Sequence, residues 1–218
     1  MRDKKLDHRK ITKQAIPNKV VIFDVGGVIL FCDHRLICRQ LSNLCEHSSS
    51  DIYQFIFKDE LEKLYDEGRM STREFYEKIK ELLQVGIEFD EFCQIWSDVY
   101  EENLSVTQLI KELKKSNHKM YLLSNTNELH YLHIRNKYKI LDEFDDYILS
   151  YKVGHRKPSR VIFESALKKS GLPAGNHIYI DDMEEYVDVA QSIGMTGIVF
   201  KSSTQLRKEL RENGVLLT

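Results

Sequence analysis

Five short apolar runs, each followed by an amphipathic stretch, constrain this chain more than any other feature. The runs are Lys19–Phe23, Lys119–Ser124, Tyr147–Ser150, His177–Ile180 and Thr196–Phe200. Each is rich in Val, Ile, Leu or Tyr and stops near polar residues or glycine, as short buried strands do. Apolar spacing predicts helices over Val106–Ser116, Glu128–Tyr138, Ser159–Ser170, Glu185–Ile193 and Thr204–Asn213. Gly171, Gly194 and Gly214 supply stop signals for three of them. Strands and helices in alternation predict an α/β fold, a parallel Rossmann-like sheet sandwiched by helices.

One region breaks the alternation. From Asp33 to Glu102 no strand is expected, and helical patterns cover His34–Cys45, Asp51–Glu67, Thr72–Gln84 and Asp90–Glu101. Ser71 and Glu74 have the spacing of a capping box for the third. The predicted organisation is a core built from residues 19–32 and 103–218, with a helical cap over 33–102 inserted after the first strand. Hinges are expected near Leu30–Asp33 and Glu102–Ser105. Residues 1–18 read as a solvated, mostly basic leader without the apolar h-region of a signal peptide.

Composition narrows the function classes. A chain of 218 residues suits one core with a modest insertion. Lys plus Arg is 32 against 34 Asp plus Glu, a balance that gives no reason to expect nucleic acid or an anionic membrane as partner. No apolar run approaches the ~18 residues of a membrane span. Cys32, Cys38, Cys45 and Cys93 form no CxxC pair. They read as free buried thiols of a cytoplasmic protein rather than a disulfide framework or a zinc site.

In a parallel α/β sheet, ligands bind beyond the carboxyl ends of the strands. The first strand ends on Asp24, the second on Ser124 and Asn125, and the HIYIDD run on Asp181 and Asp182. Lys157 stands against Pro158, which is expected in the first helical turn. Three carboxylates, a hydroxyl, an amide and a cation are thus expected at one sheet edge, an inventory suited to phosphoryl transfer. A carboxylate can attack phosphorus, a hydroxyl and a lysine can hold equatorial oxygens, and paired carboxylates can hold Mg²⁺. Gly26 and Gly27 let the backbone approach an ion or a phosphate closely.

The order of these motifs, FDVGGV, LLSN, RKP and IYIDD, resembles that of the haloacid dehalogenase-like (HAD) hydrolases with a helical cap, over roughly residues 19–202. DVGGV and LSNTN look closest to a subgroup that includes α-glucose-1-phosphate phosphatases. The resemblance implies that Asp24 is the nucleophile and a metal ligand, and that the Gly26 carbonyl is a second ligand. It implies that Ser124 binds the phosphoryl group with Asn125 beside it, and that Lys157 neutralises the phosphate and the nucleophile. Asp181 and Asp182 would hold the Mg²⁺. The expected function is a Mg²⁺-dependent phosphatase of a small phosphorylated metabolite, such as a sugar phosphate. Two rivals are a 2-haloacid dehalogenase, which uses no metal, and a non-catalytic or weakly active phospholigand- or protein-binding module. Taken singly, each residue has a plainer meaning: Asp24 an N-cap, the acidic run after Ile180 a helix start, Lys157 a surface lysine, Ser124–Asn125 a turn. Their joint order outweighs these.

One position departs from the family pattern. Most HAD phosphatases carry a second Asp two residues after the nucleophile as general acid–base, and here that place is Gly26. An anomeric sugar phosphate, with its better leaving group, would lessen the need for an acid. Otherwise Asp33, His34 or Lys58 would have to replace it. His130 and His133 could pair on a metal but read better as solvated or packed histidines. Trp96, with Phe89, Phe92 and Tyr100, reads as cap core.

Overall fold

In a computed structural model, which describes residues 19–58 and 60–217, every residue of the first strand, β1 (Val20–Phe23), is buried. Val21 and Phe23 pack into one apolar cluster and Val20 and Ile22 into another. This is the period-2 alternation of a strand covered on both faces. The basic leader expected over residues 1–18 lies outside the described residues.

The chain continues with β2 (Leu30–Cys32), α1 (His34–Ser42), α2 (Ser49–Tyr53), a π-helical turn (Gln54–Lys58), α3 (Glu60–Asp66), α4 (Thr72–Leu83), α5 (Phe89–Ser97) and β3 (Tyr100–Glu102). Then follow α6 (Leu104–Lys115), β4 (Lys119–Ser124), α7 (Glu128–Lys137), β5 (Asp146–Leu149), α8 (Ser150–Val153) and α9 (Arg160–Ser170). The last elements are β6 (His177–Asp181), α10 (Glu184–Ser192), β7 (Thr196–Val199) and α11 (Ser203–Glu212). The sheet has the order β5-β4-β1-β6-β7, and all its pairings are parallel. The chain winds outward to β4 and β5 on one side of β1, then returns to β6 and β7 on the other. That reversal makes the carboxyl end of β1 a switch point, where α/β sheets open a crevice.

Helices cover both faces, as the alternation predicts. Leu109, Leu113, Leu206 and Leu210 of α6 and α11 pack on the Val21 and Phe23 side. Ile162, Phe163, Val187 and Ala190 of α9 and α10 pack on the Val20 and Ile22 side. The helices between β2 and β3 have an apolar core of their own, built around Ile37, Ile52, Phe75, Phe92 and Trp96. Ser71 Oγ accepts the Glu74 N–H at 3.2 Å, and Glu74 accepts the Ser71 N–H at 2.8 Å, completing the expected capping box. Trp96 is fully buried and stacks against Phe57 and Phe92. No helix among the described residues is long and apolar enough to cross a membrane.

The structure differs from the sequence expectations in three places. The helix expected over Asp90–Glu101 stops at Ser97, and Tyr100–Glu102 pairs antiparallel with Leu30–Cys32. The two expected hinges are therefore one two-stranded ribbon, because segments entering and leaving the insertion side by side satisfy each other's backbone groups. The helix expected over Asp51–Glu67 is interrupted by the π-helical turn. Its wider turn lets three consecutive residues, Phe55, Ile56 and Phe57, all reach the insertion core. Of the cysteines, only Cys38 is buried; Cys32, Cys45 and Cys93 are half-buried, and all four are free.

Leu122 lies on β4 beside Phe23 and is 1% exposed. Leu122→Ala is expected to lower unfolding free energy by about 2–5 kcal/mol in urea titrations. A midpoint matching the wild type would contradict the close packing of this face.

Candidate active site

The register of two neighbouring strands makes the site. Phe23 pairs with Ile180, so the next residues, Asp24 and Asp181, leave the sheet side by side. The Asp24 N–H donates to the Ile180 carbonyl at 2.9 Å. Between the carboxylates lies the Lys157 ammonium, 2.8 Å from Asp24 Oδ1 and 2.7 Å from Asp181 Oδ2. All three residues are buried. Asp181 is held further by the Tyr179 hydroxyl on Oδ2 and the Met183 N–H on Oδ1. The Tyr186 ring lies 5.0 Å from the Lys157 ammonium.

Two buried carboxylates share one cation, and their protonation reflects it. Burial pushes the Asp24 carboxyl upward, against the pull of Lys157 and with added repulsion from Asp181. Burial alone would lower Lys157, but the two carboxylates outweigh it and hold the ammonium above its ordinary value. Such a cluster is costly to desolvate and a poor device for stability, which favours a functional role.

Lys157 is aimed by its backbone. Asn125 Oδ1 accepts the Lys157 N–H at 2.7 Å, and Asn125 Nδ2 donates to the Lys157 carbonyl at 3.1 Å. Both ends of the Asn125 amide are thus spent on positioning the lysine. Pro158 does not sit in the first helical turn as expected. It follows a cis peptide in the turn Arg156–Ser159, closed by the Ser159 N–H on the Arg156 carbonyl, and α9 begins at Arg160. Ser124 is buried at the end of β4, its Oγ donating to the Asn125 carbonyl. Ser150 Oγ bonds both the N–H and the carbonyl of Thr126, fixing this loop to the start of α8.

Asp24, Asp181 and Asp182 each offer a carboxylate oxygen within 4.8 Å of the others. An all-oxygen, partly buried donor set fits a hard divalent cation. Among the described residues no other trio of Asp, Glu, His or Cys does so. His130 and His133 are not part of that trio. His130 Nε2 donates to the Trp96 carbonyl at 2.8 Å, and Nδ1 accepts from Asn127 Nδ2. Burial pulls its pKa down to about 3, so the ring is neutral.

The two glycines have different uses. Gly27 has φ +72°, and a Cβ there would lie 2.4 Å from Asp182 Oδ2. It brings the Asp182 carboxylate against the backbone that follows Asp24. A Cβ on Gly26 would meet no heavy atom within 4 Å. Nothing steric excludes a side chain at Gly26, which faces a cavity of about 410 Å³.

That cavity lies between sheet edge and insertion. Asp24, Gly26, Asn125, Arg156 and Lys157 line one side, and His34, Tyr53, Phe57, Glu62 and Asp66 the other. Ser124, Asp181 and Asp182 stand beside it without lining it. Of the residues considered as replacement acids, only His34 reaches the cavity. Asp33 caps α1 and pairs with Arg39, and Lys58 is exposed. Sequence reasoning missed Glu62, Asp66 and Arg156. Glu62 and Asp66 have the i,i+4 spacing of one helix face. Their neighbours Asp59, Glu60 and Glu67 make the stretch read as a solvated acidic helix.

Residues 18–194 match the family model of the haloacid dehalogenase-like hydrolases. The chain belongs to that family. A D-ribitol-5-phosphate phosphatase of Bacteroides thetaiotaomicron is 26% identical over 199 residues, covering 88% of this chain and 96% of the relative. A sesquiterpene phosphatase of Aspergillus oryzae is 27% identical over 197 residues, covering 89% and 95%. The fold matches a HAD family enzyme of B. thetaiotaomicron solved with magnesium and inorganic phosphate. The TM-score is 0.72 at 23% identity, covering 84% of this chain and 94% of that one.

Gly27→Ala should destabilise the fold by more than about 1 kcal/mol, from positive φ and from contact with Asp182. Gly26→Ala, with open space at its Cβ, should be neutral or gain up to about 1 kcal/mol. Chemical denaturation of both variants measures the contrast, and equal effects would contradict the different surroundings of the two glycines.

Proposed function

We propose that the protein is a Mg²⁺-dependent phosphatase that hydrolyses a small phosphorylated metabolite through an aspartyl-phosphate on Asp24. The observation that carries this reading is the Lys157 ammonium held between Asp24 and Asp181, with Asp24 and Lys157 both open to the cavity. In this reading Asp24 attacks phosphorus, and the bond to the ester oxygen breaks. Lys157 balances the charge of nucleophile and phosphoryl oxygens, Ser124 binds one of those oxygens, and Asn125 keeps Lys157 in place. Asp24, Asp181, Asp182 and the Gly26 carbonyl would hold the Mg²⁺, which supplies positive charge opposite the phosphoryl oxygens.

Residues 33–102 serve as a cap over a core of residues 19–32 and 103–218, with the cavity at their boundary. The lining supports a polar substrate, a sugar or polyol phosphate, because Glu62, Asp66, Arg156 and His34 offer partners for hydroxyl groups. The relative acting on D-ribitol 5-phosphate points the same way. The three-carboxylate group favours a phosphatase over a 2-haloacid dehalogenase, which needs no cation. Free thiols suit a reducing cytoplasm.

A panel of phosphorylated metabolites, assayed with Mg²⁺ and with EDTA, tests the proposal. Phosphate release should vanish in EDTA and return with Mg²⁺. Asp24→Asn should lower kcat on the order of 10³-fold or more while leaving the fold intact. Release indifferent to EDTA, or an active Asp24→Asn variant, would overturn the corresponding assignment. Uptake of beryllium fluoride without turnover of any ester would favour a binding module instead.

A further inference from the structure

We propose that Glu62, on α3 of the insertion, is the general acid–base of this hydrolase, replacing the carboxylate absent at Gly26. The assignment rests on the phosphatase reading above and deepens it. Three observations converge. The space in front of Gly26 is open, and it belongs to the cavity that Glu62 lines from the opposite wall. An ester whose phosphoryl group lies at Asp24 therefore extends its leaving group toward Glu62. Glu62 is nine-tenths buried, and its carboxyl makes no hydrogen bond among the described residues; His34 Nδ1 lies 3.9 Å away.

The third observation is the contrast with its neighbours. Asp66, one turn later on the same helix face, is already engaged: Asn127 Nδ2 donates to it at 3.1 Å, and Arg156 lies 3.8 Å away. That pairing fixes α3 against the core and leaves Glu62 facing the cavity. Burial, with repulsion from Asp66 and against the pull of Arg156, raises the Glu62 carboxyl to about 8, so it holds a proton near neutrality. His34 is unsuited to the task, since burial lowers it to about 4 and a neutral imidazole is a far weaker acid.

The chemistry balances in two steps. As the Asp24–phosphorus bond forms and the phosphorus–ester oxygen bond breaks, the Glu62 proton passes to the departing oxygen, releasing an alcohol. Glu62, now a carboxylate, takes a proton from the water that attacks phosphorus. The phosphorus–Asp24 bond breaks, phosphate leaves, and Glu62 is protonated again. With an acid in place, the leaving group can be an ordinary sugar or polyol alcohol and need not be an anomeric oxygen.

The test compares two esters on the full chain with Mg²⁺. One is ribitol 5-phosphate, whose alkoxide needs a proton; the other is 2,4-dinitrophenyl phosphate, whose phenolate does not. Glu62→Gln keeps the side chain's shape and should lower kcat for the alkyl ester about 10²–10⁴-fold. The pre-steady-state burst of dinitrophenolate should fall far less. Adding Gly26→Asp to that variant should restore alkyl ester turnover, since the position has room for the side chain. Equal losses on the two esters, or a double variant without rescue, would overturn the assignment even if the wild-type protein is active. A wild-type protein that hydrolyses neither ester would overturn the phosphatase reading itself, and the assignment with it.

Discussion

The Lys157 ammonium between Asp24 and Asp181 is the contact around which the site is built. It unites the end of β1, the end of β6 and the turn before α9. Its geometry follows from the parallel register that sets Asp24 beside Asp181, and from the Asn125 amide that grips the Lys157 backbone. Removing Lys157 would leave two buried carboxylates without a cation, a cost of about 3–5 kcal/mol. The apolar packing on both faces of the sheet supplies the stability that carries this cost. Isolated from that packing, three charged side chains would not stay together out of water.

Gly26 and Gly27 divide the work on either side of this contact. Gly27 is confined by φ +72° and by Asp182, so it draws the third carboxylate toward Asp24. Gly26 is unconfined and leaves room in the cavity. The consequence is a separation of groups: Asp24, Lys157 and Asp181 sit on the sheet edge, while Glu62, across the cavity, is carried by α3. In the proposed reaction, a nucleophile on a rigid strand end and an acid on a different packing unit would need a defined distance between them. Helix α3 gains that definition from polar contacts to the core rather than from the ribbon of β2 and β3 alone.

Much of this was legible in the sequence, and the rest was hidden for physical reasons. Buried strands are continuous apolar runs, so β1, β4, β5, β6 and β7 appear within a residue or so of where the alternation puts them. Asp24, Lys157 and Asp181 end such runs or precede a helix, and the sheet edge brings them together. Strand β3 was hidden because Trp96 and Tyr100 share helical spacing, and only its long-range partner, Leu30–Cys32, makes it extended. Glu62 was hidden because burial is a property of the fold: Asp59, Glu60, Glu62, Asp66 and Glu67 look alike in sequence, yet Glu60 is exposed while Glu62 and Asp66 are buried. The different surroundings of Gly26 and Gly27 could not be read from two adjacent identical letters.

The polar join between insertion and core explains how α3 keeps its place. Asn127 uses both amide hydrogens, one toward Asp66 of the insertion and one toward His130 Nδ1, while its Oδ1 accepts the His130 N–H. His130 passes the connection back to the insertion by donating Nε2–H to the Trp96 carbonyl. A neutral ring with its proton on Nε2 satisfies both contacts, and a second ring proton would lose its acceptor at Nδ1. The low pKa that burial imposes on His130 therefore also fixes the tautomer. Two insertion elements, α3 and α5, are thereby held to one loop–helix boundary of the core through groups buried from water, where an unmade hydrogen bond costs about 1–3 kcal/mol. Such a join has few alternative arrangements, and it sets Glu62 across the cavity from Asp24 through contacts that touch neither carboxyl.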